Sequence, residues 1–183
     1  MAAGDEQLML AYREGDAGAF DELYRRHKGG LFRFVLRSVR ERAVAEELYQ
    51  EIWMRAIEAR GRYQAQAKFS TWLYTIAHNR LVDHWRKRGL QLVSLDQEQG
   101  AALDPPGNPG DEPQRIAEAK QGLERFTRAL AALPPAQREA FLLHHEAEMG
   151  VAEIARATGA DEEAAKSRLR YAVARLKEAL VSD

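Results

Sequence analysis

Residues 94–113 divide the chain into two parts. This segment, SLDQEQGAALDPPGNPGDEP, holds four of the six prolines and five acidic residues, and it has no hydrophobic periodicity. Proline and glycine at this density are typical of an extended linker. On both sides of it, apolar residues recur at helical spacing, and strand-like alternation is not evident. We therefore predict an all-α fold of two small helical domains, residues 1–92 and 115–183, joined by a flexible acidic linker at residues 93–114.

The N-terminal part is expected to contain several helices, with a first break at residues 15–16. Asp16 is placed to cap a helix whose apolar residues continue to Val35. A second, amphipathic helix is expected at about residues 43–59, with Gly61 just beyond its end. A third begins near Ser70, a candidate N-cap, and runs into the basic cluster at residues 86–88.

The C-terminal part shows the order of a helix-turn-helix. Helical patterning stops at residues 133–135 and restarts with Pro135 in a first-turn position. Short helices are then expected at about residues 136–146, 151–157 and 161–180, and the last two are arranged as in DNA readers that place the second helix in the major groove. Ile154 and Ala155 are expected to pack inward. An ordinary helical hairpin with a solvated cationic face remains the alternative.

Charge on the last helix favours DNA binding but is not uniform. Five side chains can donate to phosphates and base edges: Lys166, Ser167, Arg168, Arg170 and Arg175. The helix opens with Asp161, Glu162 and Glu163, which suit the helix dipole but repel DNA. We expect these carboxylates to lie against protein or to accept from a cytosine amino group.

Residues 62–88 combine cations with aromatic rings. Six lysines and arginines stand against one acid, giving a local charge of +5, and five aromatic residues are interleaved with them. Aromatic rings among cations suit stacking on unpaired bases, at roughly 1–3 kcal/mol per base. Helical spacing also places most of these rings in the core. Asn79 is the better candidate for base recognition, because its amide can both donate and accept.

Several classes of function are excluded or disfavoured. The chain has no cysteine, so it has neither a disulfide framework nor a thiolate metal site. The acidic N-terminus and the lack of an apolar run of about 18 residues disfavour secretion and membrane insertion. Adjacent helical residues such as His144 and His145 point about 100° apart and cannot readily converge on one ion. We expect no metal, no cofactor, no small-molecule substrate and no enzymatic activity.

Two stretches resemble a known family. AEELYQEIWMRAIEARGRYQ followed by KFSTWLYTIAHNRLVDHWRKR is similar to the core-binding and promoter-melting domain of RNA polymerase sigma factors, and ALPPAQREAF through EIARATG to AAKSRLRYAVARL is similar to their promoter-binding domain. With the linker between them, this is the layout of the extracytoplasmic-function type. The resemblance implies a cytoplasmic protein that binds core RNA polymerase and promoter DNA and is controlled by an anti-sigma factor, which can hold it at the membrane.

The resemblance also assigns roles to residues. It implies contact with the beta-prime and beta subunits of core polymerase by Glu47, Leu48, Gln50 and Glu51. For the minus-10 element it implies Tyr63, Lys68, Phe69, Ser70, Thr71, Trp72, Asn79, Arg80, Arg86, Lys87 and Arg88. For the minus-35 element it implies Lys166, Ser167, Arg168, Arg170, Tyr171 and Arg175.

This chain departs from the usual family sequence near the start of its last helix. The family commonly has Thr-Val where this chain has Ala164 and Ala165, which bears on minus-35 specificity.

The alternative function is a stand-alone helix-turn-helix regulator with an N-terminal sensing or interaction domain. Such a regulator would usually dimerise on paired half-sites and would not need an acidic, polymerase-facing helix.

Overall fold

The computed structural model describes residues 3–89 and 113–181, and within them all regular structure is helical. A 3-10 turn at Arg60–Arg62 follows the third helix. The helices are α1 (Asp5–Arg13), α2 (Ala17–Val39), α3 (Arg42–Glu58), α4 (Phe69–Lys87), α5 (Pro113–Ala132), α6 (Pro135–Glu146), α7 (Val151–Thr158) and α8 (Glu162–Val181). The predicted all-α fold is confirmed. The predicted linker lies outside the described residues except for its last two positions, which begin α5.

Local signals set most helix ends. The Asp16 carboxylate accepts a hydrogen bond from the Ala19 backbone N–H at 3.2 Å, which confirms Asp16 as the N-cap of α2. Pro135 occupies the first turn of α6. Gly159 ends α7 in the left-handed conformation with φ 66°, which glycine adopts without the steric cost of a Cβ atom.

The start of α4 differs from the prediction. Ser70 is not the N-cap, because the helix begins at Phe69 and Lys68 holds the capping position. The Lys68 side chain makes no capping hydrogen bond. The Phe69 backbone N–H instead donates to Glu6 Oε1 at 2.9 Å. A carboxylate from α1 thus satisfies a free donor at the helix start, a tertiary contact that local sequence does not reveal.

Helices α1–α4 form an N-terminal group around a core of large apolar side chains. Leu23, Leu31 and Phe34 of α2 are fully buried, as are Ile52 of α3 and Leu73 of α4. Each helix therefore turns one apolar stripe inward, and its charged stripe remains outside. This packing fixes α3 and α4 side by side.

Helices α5–α8 form a smaller C-terminal group. Leu142 and Leu143 of α6 are fully buried, and Ile154 of α7 and Ala172 and Leu176 of α8 pack on the same core. The two groups also pack on each other, because α6 lies against α2 and α7 lies against α4. Sequence periodicity predicts the helices of each group but not this contact between the groups.

Candidate functional site

Helix α3 presents an acidic face beside an exposed methionine. Glu47 and Gln50 are exposed, and Met54 is 55% exposed. They line a shallow depression together with Glu51, Arg55 and Glu58. The fourth residue assigned to polymerase binding, Leu48, is buried in the core instead. Leu48 therefore anchors the helix, while its neighbours form the accessible surface.

An ion pair connects α3 to α4. Arg80 Nε donates to Glu51 Oε2, and this hydrogen bond lowers the pKa of Glu51. Arg55 Nη1 donates to Asp83 Oδ2 at 3.3 Å between the same two helices. Arg80, assigned to DNA by the resemblance, is only 6% exposed. In this conformation it holds α4 against the acidic face of α3 and cannot reach a nucleic acid.

The residues assigned to the minus-10 element fall into three levels of exposure. The exposed ones are Lys68, Asn79, Arg86, Lys87 and Arg88, and the half-buried ones are Ser70 and Trp72. The buried ones are Tyr63, Phe69, Thr71 and Arg80. The accessible cations thus lie at the two ends of α4, and Asn79 lies between them. The assignment of the whole set to DNA stays a prediction.

The rings at the start of α4 form a packed cluster. Tyr63 lies edge-on to Trp72 at 5.3 Å between centroids, and Phe69 lies 5.9 Å from Trp72 and 5.1 Å from His27. Burial raises the pKa of the Tyr63 hydroxyl to about 12. Tyr63 and Phe69 therefore support the loop from within, and the half-buried Trp72 is the ring of this cluster that retains accessible surface.

Helix α8 separates an inward stripe from a cationic outer stripe. Ala165, Ala172 and Leu176 are buried, while Lys166, Arg170, Tyr171 and Arg175 are exposed. Ser167 and Arg168 are half-buried. The inward packing expected for Ile154 and Ala155 of α7 is confirmed. The Arg170 guanidinium lies over the Tyr171 ring at 5.2 Å, a cation–π contact that keeps both side chains together on the outer face.

The acidic start of α8 has a structural explanation. The Asp161 carboxylate accepts from the Ala164 backbone N–H at 2.7 Å, as an N-cap does. Glu162 and Glu163 occupy the first turn, where negative charge is favourable to the helix dipole. Asp161 is therefore engaged with its own helix, and both following glutamates are solvent-exposed.

Three glutamates that sequence reasoning missed lie between the two helix groups. Glu139 and Glu146 of α6 and Glu153 of α7 are spaced seven residues apart and pair with side chains of the N-terminal group. His78 of α4 is the partner of Glu139. No short pattern in the sequence marks these three glutamates, because each lies in a helix with other polar residues.

Other features of the described residues bear on metal binding and on membrane insertion. His144 Nδ1 donates to the Met149 carbonyl at 2.8 Å, so this ring has a structural role at the end of α6. Across residues 3–89 and 113–181, no three potential ligands are grouped as a metal site would require. Over the same ranges, no helix is both long and apolar enough to cross a membrane.

Comparisons with known proteins match both helix groups. Residues 23–91 match the family profile Sigma-70 region 2, and residues 123–176 match Sigma-70, region 4. The chain is 30% identical over 178 residues to the ECF RNA polymerase sigma factor BldN of Streptomyces coelicolor, covering 97% of this chain and 66% of that protein. It is 30% identical over 172 residues to the RNA polymerase sigma factor CarQ of Myxococcus xanthus, covering 94% of this chain and 95% of that protein.

A solved structure also resembles the fold of nearly the whole chain. It is the sigma factor RpoE of Bartonella quintana in complex with the anti-sigma factor NepR, with a TM-score of 0.71 at 25% identity, covering 90% of this chain and 98% of that one. The chain therefore belongs to the sigma-70 family of RNA polymerase sigma factors, and within it to the extracytoplasmic-function type. Proteins of this family are DNA-binding factors that direct transcription initiation without catalysing a reaction themselves.

The ion pair between Glu51 and Arg80 gives a prediction about stability. Glu51→Gln leaves the buried guanidinium without its counter-charge, so we expect the free energy of unfolding to fall by about 1 kcal/mol at neutral pH, since the partly exposed Glu51 is screened by solvent. Glu47→Gln, on the exposed side of the same helix, should change it much less. Urea unfolding of the three proteins measures both effects.

The same pair predicts a pH dependence. Because Arg80 lowers the pKa of Glu51 from its ordinary value of 4.5, the contribution is fully present above pH 4.5 and is lost as the pH falls through the lowered pKa. The stability difference between the wild type and Glu51→Gln should therefore shrink in acid. A difference that stays constant down to the acid transition would mean that the ion pair does not hold these helices.

Proposed function

We propose that this sigma factor divides initiation among three surfaces. The acidic face of α3 binds core RNA polymerase, the cationic ends of α4 hold the opened minus-10 strand, and the outer stripe of α8 reads the minus-35 duplex. The observation that carries this proposal is the separation of charge on one helical framework. Exposed carboxylates lie on α3, and exposed cations lie at the two ends of α4 and on the outer side of α8. No covalent step is assigned to any residue of the chain.

The polymerase contact rests on Glu47, Gln50 and Met54. Two polar side chains beside an exposed apolar one suit a partner surface that is basic with an apolar centre. Glu51 would contribute less directly than its sequence position implies, because it is already engaged with Arg80. The proposed partner surface belongs to the beta-prime and beta subunits of core polymerase.

The minus-10 contact rests on the accessible members of the α4 set. Asn79 offers a donor and an acceptor to a base edge, and Arg86, Lys87 and Arg88 supply charge for the backbone of a separated strand. Trp72 offers a partly exposed ring for stacking beside the loop. Strand opening would be driven by this binding and would need no catalytic group.

The minus-35 contact rests on α8. Lys166 and Arg170 are exposed one turn apart on one side of the helix. Tyr171 and Arg175 are also exposed, and they lie about 100° or more around the helix from Arg170. Arg168 is half-buried and fits a contact to phosphate or polymerase better than a contact to a base. The capped acidic start of α8 would remain at the edge of the groove.

An anti-sigma factor is the proposed regulatory partner. Support comes from the solved structure of RpoE of Bartonella quintana, which was determined with the anti-sigma factor NepR. We place the chain in the cytoplasm, where core polymerase acts, and an anti-sigma factor could hold it at the membrane. A stand-alone regulator is not favoured, because such a protein has no need of the polymerase-facing surface on α3.

Charge reversal on α3 tests the polymerase contact. Glu47→Lys should weaken binding to core RNA polymerase about tenfold or more, because it places a like charge against a basic surface. Glu46→Lys is the matched control: Glu46 is exposed, and the two side chains project about 100° apart around the helix. Competition binding with a labelled sigma factor measures both variants. Equal binding by wild type and Glu47→Lys would remove α3 from the interface.

Truncation on α8 tests the minus-35 contact. Holoenzyme containing Arg170→Ala should bind a promoter selected with the wild-type holoenzyme about tenfold more weakly, since a good base contact contributes about 1–3 kcal/mol. Lys177→Ala removes an exposed cation farther along the same helix and should have little effect. Filter binding at fixed salt compares them. Equal losses in both variants would indicate general electrostatics rather than promoter reading.

A further inference from the structure

The loop at residues 63–68, which joins the 3-10 turn to α4, has an exposed tip and buried ends. Its tip, residues 64–66, is exposed. Tyr63 at its start is fully buried, and Phe69 just beyond its end is 2% exposed. The Tyr63 hydroxyl donates to the Ala67 carbonyl at 3.4 Å, a contact within the loop itself. A loop lacks the regular backbone hydrogen bonds of a helix, so its shape depends on what holds its ends.

Helix α1 holds both ends of this loop. Arg13 Nη1 donates to the Tyr63 carbonyl at 3.1 Å, and Glu6 Oε1 accepts from the Phe69 backbone N–H at 2.9 Å. Glu6 and Arg13 are seven residues apart, which places them on nearly the same face of the helix and about 10 Å apart along its axis. Two side chains of one helix therefore fix the spacing between the ends of the loop.

A further contact from α1 holds the Phe69 side chain. Asp5 Oδ2 lies 2.6 Å from His27 Nε2, and the His27 ring lies edge-on to Phe69 at 5.1 Å between centroids. Partial burial opposes ionisation of Asp5, but the hydrogen bonds from Arg26 and His27 outweigh it and lower the pKa of this carboxyl. The first turn of α1 thus holds Phe69 by its backbone and, through His27, by its ring.

The contacts of Glu6 and Arg13 are separate from the attachment of α1 to the core. Met9 makes that attachment, since it is 2% exposed and packs among the buried apolar side chains. Glu6 is only half-buried, and the Arg13 side chain is 36% exposed. Both reach backbone atoms that lie 63 and 50 residues away along the chain. They are therefore suited to set the conformation of one loop.

The loop lies beside residues assigned to the opened strand. Lys68 is its last residue, and the half-buried Trp72 of α4 lies 5.3 Å from the Tyr63 ring. Gln64 and Gln66 at its exposed tip carry amides that can donate and accept hydrogen bonds. Ordering flexible groups at an interface reduces affinity, so a loop that is ordered beforehand binds a separated strand more tightly.

We propose that α1 is a positioning element for promoter opening, in which Glu6 and Arg13 hold the loop at residues 63–68 in the shape that meets the opened minus-10 strand. This role rests on the proposed function of α4. Neither residue needs to touch DNA, because both act through backbone atoms at the ends of the loop. Helix α1 is thereby connected to strand binding rather than to the polymerase contact of α3.

Amide hydrogen exchange in the free chain tests the hold on the loop. Glu6→Ala removes the acceptor for the Phe69 N–H, whereas Glu6→Gln keeps a side-chain oxygen and removes only the charge. We expect exchange across residues 64–69 to be about fivefold faster in Glu6→Ala, as for the loss of one hydrogen bond, and near the wild-type rate in Glu6→Gln. Unchanged exchange in Glu6→Ala would show that the loop keeps its shape without α1 and would overturn the proposal.

Binding of a single strand to the holoenzyme tests the effect on DNA. The probe is a fluorescent oligonucleotide with the minus-10 sequence of a promoter selected with the wild-type holoenzyme, and each strand is tested in turn. Glu6→Ala and Arg13→Met should each bind the preferred strand about fivefold more weakly, and Glu6→Gln should bind it at least as tightly as the wild type. Asp21→Ala, which removes an exposed carboxylate of α2, is the charge-matched control and should not weaken binding.

The direction of the effects separates positioning from electrostatics. Glu6→Ala and Arg13→Met change the net charge in opposite directions, so a loss in both cannot arise from charge, and loss of a carboxylate alone would strengthen DNA binding. Competition binding should show equal affinity for core polymerase in all variants, which also confirms that they fold. Equal or tighter strand binding by Glu6→Ala would overturn the proposal. Failure of the wild-type holoenzyme to bind either strand would instead overturn the proposed function of α4, and with it the role of α1 in DNA binding, and leave the exchange result standing.

Discussion

Burial of one apolar stripe on each of α3 and α4 is the constraint on which the rest of the structure depends. Leu48 and Ile52 of α3 and Leu73 and Leu81 of α4 are fully or almost fully buried. Because a helix has a fixed periodicity, their burial determines which residues remain outside. The acidic stripe of α3 and the cationic ends of α4 are therefore placed by the core, and the pair between Glu51 and Arg80 holds the two helices together.

The same framework explains how one chain can carry surfaces for a protein and for DNA without a basic net charge. Its formal net charge is −1, so the cations are effective only where they are concentrated. Lys68 of α4 is paired with Glu153 of the C-terminal group, whereas Arg86, Lys87 and Arg88 remain exposed.

Sequence reasoning predicted the helices well because their signals are local. Periodicity located α2 through α8, and Asp16 and Pro135 marked helix starts that the structure confirms. It also identified the exposed side of α8, since one buried stripe implies the other. It missed the Glu6 cap of α4, the burial of Arg80 and the three interface glutamates. Each of these depends on which distant helix lies opposite, which a single sequence does not encode in any short pattern.

As a sigma factor, this chain should give core RNA polymerase the ability to start at specific promoters. The most direct measurement is transcription in vitro from genomic DNA of the source organism by core polymerase, with and without the purified chain, followed by mapping of RNA 5′ ends. We expect new, discrete start sites that share upstream sequence at minus 10 and minus 35. No start sites beyond those of core polymerase alone, with a folded chain in excess, would contradict it.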